Sequence, residues 1–141
     1  MSTIYSPDDF YHHCSIDVRF RDLDPLNHVN NAVFNTYFEE ARIRFIQTVP
    51  ELNYSMGEGF SFVLAHLDLK YVKPVLYTES IRIGSSLKKI GNSSIIGIQA
   101  IFSAEDELKA ISETTGVWYN TTTKRPSRLP DINNPEQYLL R

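Results

Sequence analysis

A polar loop between residues 20 and 31 carries the residue types best suited to chemistry. It contains Asp22, Asp24 and His28, and an apolar helix pattern begins directly after it. The first N–H groups of a helix have no partners within the helix, and the helix dipole makes this end positive. Such donors polarise a carbonyl group and stabilise the oxyanion that forms on attack. A carboxylate beside them could attack that carbonyl or activate a water, and Asp24 is the best candidate for this role.

Each of these polar residues also has a structural interpretation. Asp24 precedes Pro25, and an aspartate before a proline commonly caps a turn. His28 is a candidate general acid or base, but a loop histidine is as readily a hydrogen-bonded structural residue. Asn30 and Asn31 are good helix N-caps, since either side chain can accept a hydrogen bond from the first turn. The residue types alone therefore leave both interpretations open for the loop.

The pattern after the loop predicts one deeply buried helix. It begins near Asn30 or Asn31 and ends near Val49-Pro50. Apolar residues recur at three- and four-residue spacing, which places them in one stripe along a helix. The stripe consists of Phe34, Tyr37, Phe38, Ala41 and Phe45. The spacing also predicts two ion pairs on a polar face of the helix, namely Glu40–Arg44 and Glu39–Arg42.

Alternating apolar and polar residues predict strands on both sides of this helix. The predicted elements are strands over 12–20, 60–73, 78–90, 94–102 and 108–119, a loop over 51–59, a hairpin turn at Gly91-Asn92, a turn at Glu105-Asp106 and a short helix over 135–140. Short turns make consecutive strands antiparallel neighbours. The expected fold is therefore α+β, with an antiparallel five- or six-stranded sheet wrapped around a central helix.

The composition predicts one globular domain over residues 1–141. The chain is 42% hydrophobic and 22% charged, and its net charge of -3 argues against a general nucleic-acid binder. Cys14 is the only cysteine, which excludes an internal disulfide and favours the cytoplasm. The sequence shows neither a signal peptide nor an apolar run that predicts a membrane span. No metal site is predicted at His12, His13 and Cys14, because adjacent strand residues point to opposite faces.

The loop and the start of the helix resemble a known enzyme signature. The run from Val18 to Asn31, followed by Tyr37 to Arg42, is similar to the patterns R/Y-F-x-D-x-D-x-x-x-H-V-N-N and Y-x-x-Y-F-E-x-A-R. These patterns belong to hotdog-fold acyl-CoA thioesterases of the 4-hydroxybenzoyl-CoA thioesterase type. Supporting matches are Tyr71-Val72-Lys73-Pro74, Ile90-Gly91-Asn92-Ser93-Ser94 and the proline-containing tail, so the resemblance covers about residues 13–132. Asn27 stands where relatives often carry glycine.

The resemblance implies a hotdog fold that hydrolyses an acyl-CoA thioester to a carboxylic acid and CoA, without a cofactor. It implies that Asp24 is the catalytic carboxylate, as nucleophile or general base, with His28 as a further catalytic candidate. A backbone N–H at Asn30 or Asn31 would activate the thioester carbonyl. The candidates for contact with the CoA part of the substrate are Lys88, Lys89, Ser94 and Arg125. The resemblance also implies a homodimer or homotetramer with active sites at the subunit interface.

Two other functions are compatible with the same residues. One is a thioesterase that acts on acyl groups attached to acyl-carrier protein, and the other is a catalytically weak acyl-CoA binding protein. A hotdog dehydratase or hydratase fits less well, because its His–Asp or His–Glu arrangement lies elsewhere in that fold. The many aromatic residues of the helix allow either an aromatic or an aliphatic acyl group.

Overall fold

The computed structural model describes residues 5–77 and 79–141, which form an antiparallel sheet curled around one long helix. The helices are α1, Asn31–Gln47, and α2, Pro50–Gly57. The strands are β1, His12–Asp17; β2, Phe60–Tyr71; β3, Ser80–Ile90; β4, Ser94–Phe102; β5, Leu108–Asn120; and β6, Arg125–Pro126. Short 3-10 turns cover Pro7–Asp9, Phe20–Asp22 and Pro135–Tyr138. The predicted α+β arrangement is confirmed, with six strands in the sheet.

The order of strands in the sheet makes β2 an edge strand. The order is β1-β3-β4-β5-β2, with β6 paired to the end of β5, and every pair is antiparallel. Short connections join β3 to β4 and β4 to β5, as the sequence predicts. The expectation that all consecutive strands are neighbours is wrong for β2 and β3, because β2 pairs with β5. Residues 72–77 therefore lead away from β2 across the end of the sheet.

The central helix is capped and buried as its sequence predicts. Asn30 is the N-cap of α1. All five residues of the predicted stripe are buried, in the region where α1 packs on β1 and β3. The ion pair between Glu40 and Arg44 forms at 3.2 Å. Glu39 and Arg42 both lie in the described part of the chain, and the predicted pair between them does not form.

The segment after α1 differs from its prediction. α1 ends at Gln47, and the region predicted as a loop over 51–59 is largely the helix α2. Pro50 occupies the first turn of α2. Proline suits this position, because its fixed φ is helical and its missing N–H would have no partner there. The proline that was expected to end one helix therefore begins the next.

Two strands end before their predicted last residues. The first strand ends at Asp17, because the chain enters a 3-10 turn at Phe20–Asp22 that leaves Phe20 74% exposed. β2 ends at Tyr71, two positions before the predicted end. Thr78, the predicted start of the next strand, lies outside the described residues, and β3 begins at Ser80.

An aromatic cluster packs at the end of the sheet where β2 begins. Trp118 on β5 is 1% exposed. Its ring stacks on Phe60 with a centroid separation of 5.8 Å and meets Phe62 at an angle with a separation of 4.7 Å. Aromatic pairs of this kind contribute about 0.5–1.5 kcal/mol each beyond the burial of their area. The cluster therefore holds the start of β2 against β5.

Residues 5–77 and 79–141 lack two kinds of feature. No helix there has the length and apolar character needed to cross a membrane. No group of three or more His, Cys, Asp or Glu side chains there is arranged to hold a metal ion.

Candidate active site

Asp24 uses one carboxylate oxygen to shape its own loop and leaves the other free. Its Oδ1 accepts hydrogen bonds from the N–H groups of Leu26 at 2.9 Å and His28 at 3.2 Å. Its backbone N–H donates to the carbonyl of His28 at 2.8 Å. Oδ2 accepts no hydrogen bond from any residue that the structure describes. The turn-capping interpretation and the chemical one are therefore compatible, since each concerns a different oxygen.

Asn27 closes the turn in a conformation that few residues adopt. Its φ is +63°, in the left-handed region. Its N–H donates to the carbonyl of Asp24 at 3.0 Å. Asparagine and glycine tolerate this region better than other residues do. Asn27 can therefore hold the left-handed conformation at the position where the family resemblance implies a glycine.

Asp22, the other acid of the loop, has a structural role. Its carboxylate is 2% exposed and accepts hydrogen bonds from the Arg19 guanidinium at 2.9 Å and from the Tyr37 hydroxyl at 2.6 Å. Burial by itself raises the pKa of the Asp22 carboxyl, but the hydrogen bonds from Arg19 and Tyr37 outweigh it and lower that pKa below its ordinary value. Burial and the bond to Asp22 raise the pKa of Tyr37. Asp22 therefore ties the loop to α1 as a carboxylate.

Backbone contacts hold the loop between α1 and the segment that follows β2. The N–H of Val29 donates to the carbonyl of Val75 at 2.8 Å, and His28 forms a bridge with Leu76. The N–H of Asn30 donates to the carbonyl of Asp22 at 2.8 Å. The position of Asp24 is thus fixed from both sides.

A cavity of about 200 Å³ lies between this loop, the start of α1 and the end of β2. Its lining includes Asp24, His28, Asn31, Phe34, Tyr71 and Lys73. Three of the residues that the sequence singled out for chemistry therefore border one space. Asp24 and His28 are both half-buried there, so that a ligand can reach them.

The two asparagines at the start of α1 differ in their free donors. The N–H of Asn30 donates to the backbone carbonyl of Asp22, and the Asn30 side chain accepts a hydrogen bond from the N–H of Ala32 at 2.9 Å. The N–H of Asn31 has no acceptor among the residues described, and Asn31 borders the cavity. Of the two predicted positions, Asn31 is therefore the one with a backbone donor available to a ligand.

Sequence reasoning missed Tyr71 and Lys73 as parts of this site. The Tyr71 hydroxyl donates to the carbonyl of Asn31 at 2.8 Å, and its ring lies 5.2 Å from that of Phe34. The Lys73 ammonium pairs with Glu107 at 2.6 Å. The signal was present in the family match Tyr71-Val72-Lys73-Pro74. It indicated the end of a strand and not its place beside the loop.

None of the four residues predicted to contact CoA lines this cavity. Lys88 pairs with Glu113 at 2.8 Å. Lys89 and Ser94 flank the β3–β4 hairpin, and Arg125 pairs with Asn120 near the start of β2. The cavity lies at the opposite end of β2. One copy of the chain therefore does not bring Lys89, Ser94 or Arg125 to the Asp24 cavity.

A curled antiparallel sheet around one helix, with an acidic loop at the start of that helix, is an arrangement that known proteins share. Residues 18–134 match the thioesterase-like superfamily, and the chain belongs to this family. This membership confirms the resemblance drawn from the sequence and the predicted enzyme class, a thioester hydrolase. The long-chain acyl-CoA thioesterase FadM of Escherichia coli K12 is 26% identical over 111 residues, which cover 78% of this chain and 84% of FadM.

Solved structures agree with this assignment. A thioesterase from Thermus thermophilus, complexed with coenzyme A and Zn, is 35% identical with a TM-score of 0.76, over 88% of this chain and 89% of that one. The protein SAV2348 of Staphylococcus aureus, in complex with CoA, is 12% identical with a TM-score of 0.79, over 98% and 83% of the two chains. At that identity the second likeness concerns the fold alone. Together they confirm the predicted hotdog fold.

Proposed function

We propose that this chain hydrolyses acyl-CoA thioesters in the cavity beside Asp24. The observation that carries the proposal is that Asp24 and Asn31 border one cavity of about 200 Å³. Among the described residues, neither Oδ2 of Asp24 nor the N–H of Asn31 at the start of α1 has a hydrogen-bond partner. These are the two groups that thioester hydrolysis needs, a base or nucleophile and an oxyanion donor. The named activity of FadM and the coenzyme A held by the Thermus thermophilus thioesterase support the substrate class.

In this proposal the thioester carbonyl oxygen accepts a hydrogen bond from the Asn31 N–H. The positive end of α1 stabilises the negative charge that develops on that oxygen during attack. As nucleophile, Asp24 bonds to the acyl carbon, the C–S bond breaks, CoA leaves as a thiolate, and water hydrolyses the resulting anhydride. As general base, Asp24 takes a proton from the water that attacks the acyl carbon, the C–S bond breaks, and the carboxylic acid and the CoA thiolate are released. In either case His28, which borders the cavity, is the proposed donor of a proton to the departing CoA sulfur.

A panel of thioesters tests this function. Purified protein is assayed for thiol release with acyl-CoAs of increasing chain length and with the same acyl groups on acyl-carrier protein. The expected result is turnover of at least one acyl-CoA with kcat/KM of about 10⁴ M⁻¹s⁻¹ or more. Turnover of the carrier-protein thioesters alone would replace the proposal with the carrier-protein alternative. Tight binding of acyl-CoA without turnover would replace it with the binding-protein alternative.

The exposed edge of β2 supports assembly into a dimer. β2 is long and has no partner on its outer side within the described sheet. Four of its large apolar side chains are more than one third exposed: Val63, Leu64, Leu67 and Tyr71. A long apolar edge is a template for pairing with another strand unless it is covered. We propose that the β2 strands of two copies pair with each other, and that a tetramer would be built from two such dimers.

This pairing would complete the active site. A two-fold axis makes two identical edge strands antiparallel. The start of the partner's β2 then lies beside the end of β2 in this chain, where the Asp24 cavity is. That end of the partner carries the partner's Arg125, one of the residues expected to contact CoA. The distance between Arg125 and Asp24 within one chain is therefore compatible with the proposed function.

Replacing Leu67 with lysine is expected to break the dimer. Leu67 lies near the middle of β2, so two-fold pairing would bring the two lysine charges close together. Light scattering after size exclusion is expected to give twice 16.2 kDa for the wild type, or four times for the tetramer, and 16.2 kDa for Leu67→Lys. The control is Tyr54→Lys, since Tyr54 is 71% exposed on α2. A monomeric wild type, or a Leu67→Lys variant with unchanged mass, would rule out this interface.

A further inference from the structure

A second cavity, of about 370 Å³, lies between α1 and the sheet, farther from the start of α1 than the Asp24 cavity, and is named the deeper cavity for its distance from the Asp24 loop. Its lining is mostly apolar and includes Ile46, Phe62, Leu87 and Ile95. Arg42 and Gln99 also line it. The proposed hydrolysis uses none of these residues, and the size of the cavity is within the range of small-molecule pockets.

The two cavities lie along one face of α1. Asn31 borders the Asp24 cavity, and Glu39 and Arg42 border the deeper one. Spacings of eight and eleven residues keep the three on one side of a helix. β2 runs alongside, with Tyr71 at the first cavity and Leu64 at the second. From Asn31 to Arg42 the helix rises about 16 Å, a span that only a long acyl chain bridges.

Gln99 leaves one polar atom without a partner in the wall of the deeper cavity. It is 3% exposed, and its Nε2 donates to the carbonyl of Phe38 at 3.0 Å and to the hydroxyl of Ser85 at 2.9 Å. A carbonyl only accepts, so the orientation of the amide is fixed. Its Oε1 is buried and has no donor in the described structure. A buried acceptor in this state carries an unfavourable free energy that a ligand donor would remove.

Arg42 has the complementary requirement. Its Nη1 is buried and has no acceptor among the described residues. Burial lowers the pKa of the Arg42 guanidinium, and Glu39 offsets this only in part. A guanidinium in an apolar cavity is stabilised by an oxygen that accepts its hydrogen bond. The cavity therefore offers a donor from α1 and an acceptor from β4.

On the basis of the thioesterase function proposed above, we propose that the deeper cavity holds the far end of a long acyl group that carries a hydroxyl. A hydroxyl both accepts and donates, so it can accept from Arg42 Nη1 and donate to Gln99 Oε1. A methyl end would leave both atoms without partners. A carboxylate end would accept from Arg42 but could not donate to Gln99. The preferred substrates are therefore long acyl-CoAs hydroxylated at or near the end of the chain.

The test compares palmitoyl-CoA with ω-hydroxypalmitoyl-CoA. The wild type is expected to show a kcat/KM that is about tenfold higher or more for the hydroxylated substrate, which corresponds to about 1.4 kcal/mol. Arg42→Met is expected to bring the ratio of the two kcat/KM values close to one, and Gln99→Met is a second variant with the same expectation. The matched control is Arg44→Met, since Arg44 lies on the same helix and pairs with Glu40. This control is expected to keep the wild-type ratio.

The outcomes separate this inference from the function on which it rests. A wild type that hydrolyses both substrates with equal kcat/KM overturns the hydroxyl preference and leaves the thioesterase standing. A preference that persists in correctly folded Arg42→Met and Gln99→Met also overturns it. If neither substrate is hydrolysed, the panel of acyl-CoAs described above decides the proposed function, and calorimetric titration of the wild type with both thioesters decides the inference. Tighter binding of the hydroxylated thioester supports the cavity assignment, and equal binding, as expected for a merely water-filled cavity, overturns it.

Discussion

Asp24→Asn is expected to lower kcat for acyl-CoA hydrolysis by about 10²-fold or more, the range for removal of a general base. The asparagine oxygen can still accept from the N–H groups of Leu26 and His28, which Oδ1 of Asp24 now does. The loop should therefore keep its shape while the charge at Oδ2 disappears. Steady-state thiol release measures kcat, and circular dichroism checks the fold.

Asn27→Gly is the control for this prediction. Glycine adopts the φ of +63° at this position without strain. Asn27 is not among the residues that line the cavity, so the variant is expected to turn over substrate much as the wild type does. An Asp24→Asn protein with wild-type kcat would remove Asp24 from the mechanism.

A single turnover in water enriched in heavy oxygen distinguishes the two roles of Asp24. If Asp24 is the nucleophile, an anhydride forms, and hydrolysis at its aspartyl carbon leaves label in the Asp24 side chain. If Asp24 is the general base, all label appears in the carboxylic acid product. Mass spectrometry of the peptide that contains Asp24 reads the difference. A complete absence of label in that peptide would count against the nucleophile.

Asp22→Ala is expected to lower the free energy of unfolding by about 2–3 kcal/mol, at or below the low end for breaking a buried ion pair. The expected effect is this small because the Arg19 side chain is 58% exposed, so water solvates its guanidinium when Asp22 is removed. The larger loss falls on Tyr37, which is 4% exposed and whose hydroxyl would have no acceptor. Urea denaturation measures the difference. Tyr37→Phe is the matched comparison, because it removes one hydrogen bond and is expected to cost about 1 kcal/mol.

The same carboxyl gives this stabilisation a defined pH dependence. The folded pKa of Asp22 lies below its ordinary value, so the folded state holds the charged form more strongly than the unfolded state does. The contribution is complete above the unfolded pKa and is lost as the pH falls through the folded pKa. The difference in unfolding free energy between wild type and Asp22→Ala should therefore narrow in acid. A difference that stays constant or widens there would contradict this role.

Local chemistry explains which parts of the fold could be predicted from sequence. The cap at Asn30 and the stripe from Phe34 to Phe45 depend on neighbouring residues, and both were predicted correctly. The pairing of β2 with β5 depends on contacts between distant segments, so a short connection to β3 suggested the wrong neighbour. Pro50 was ambiguous, because proline both ends helices and begins them.

The residues of the candidate site also fall into a group that depends on neighbouring residues and a group that depends on distant segments. Asp24, His28 and Asn31 lie within one short stretch of chain, and their common cavity follows from local geometry. Tyr71 and Lys73 join them only because β2 ends beside the loop, which no local pattern reports. The sequence predicted Lys88 as a contact for CoA, but the register of the sheet places its ammonium beside Glu113, with which it forms an ion pair.

The aromatic cluster at the start of β2 supplies an optical signal for many of these experiments. Trp118 is the only tryptophan of the chain, so its indole is the single source of tryptophan fluorescence. It is buried in the folded protein, and unfolding into water will shift its emission to longer wavelength. Phe62 touches both the indole and the deeper cavity. The same emission can therefore follow denaturation and the entry of an acyl chain without any attached dye.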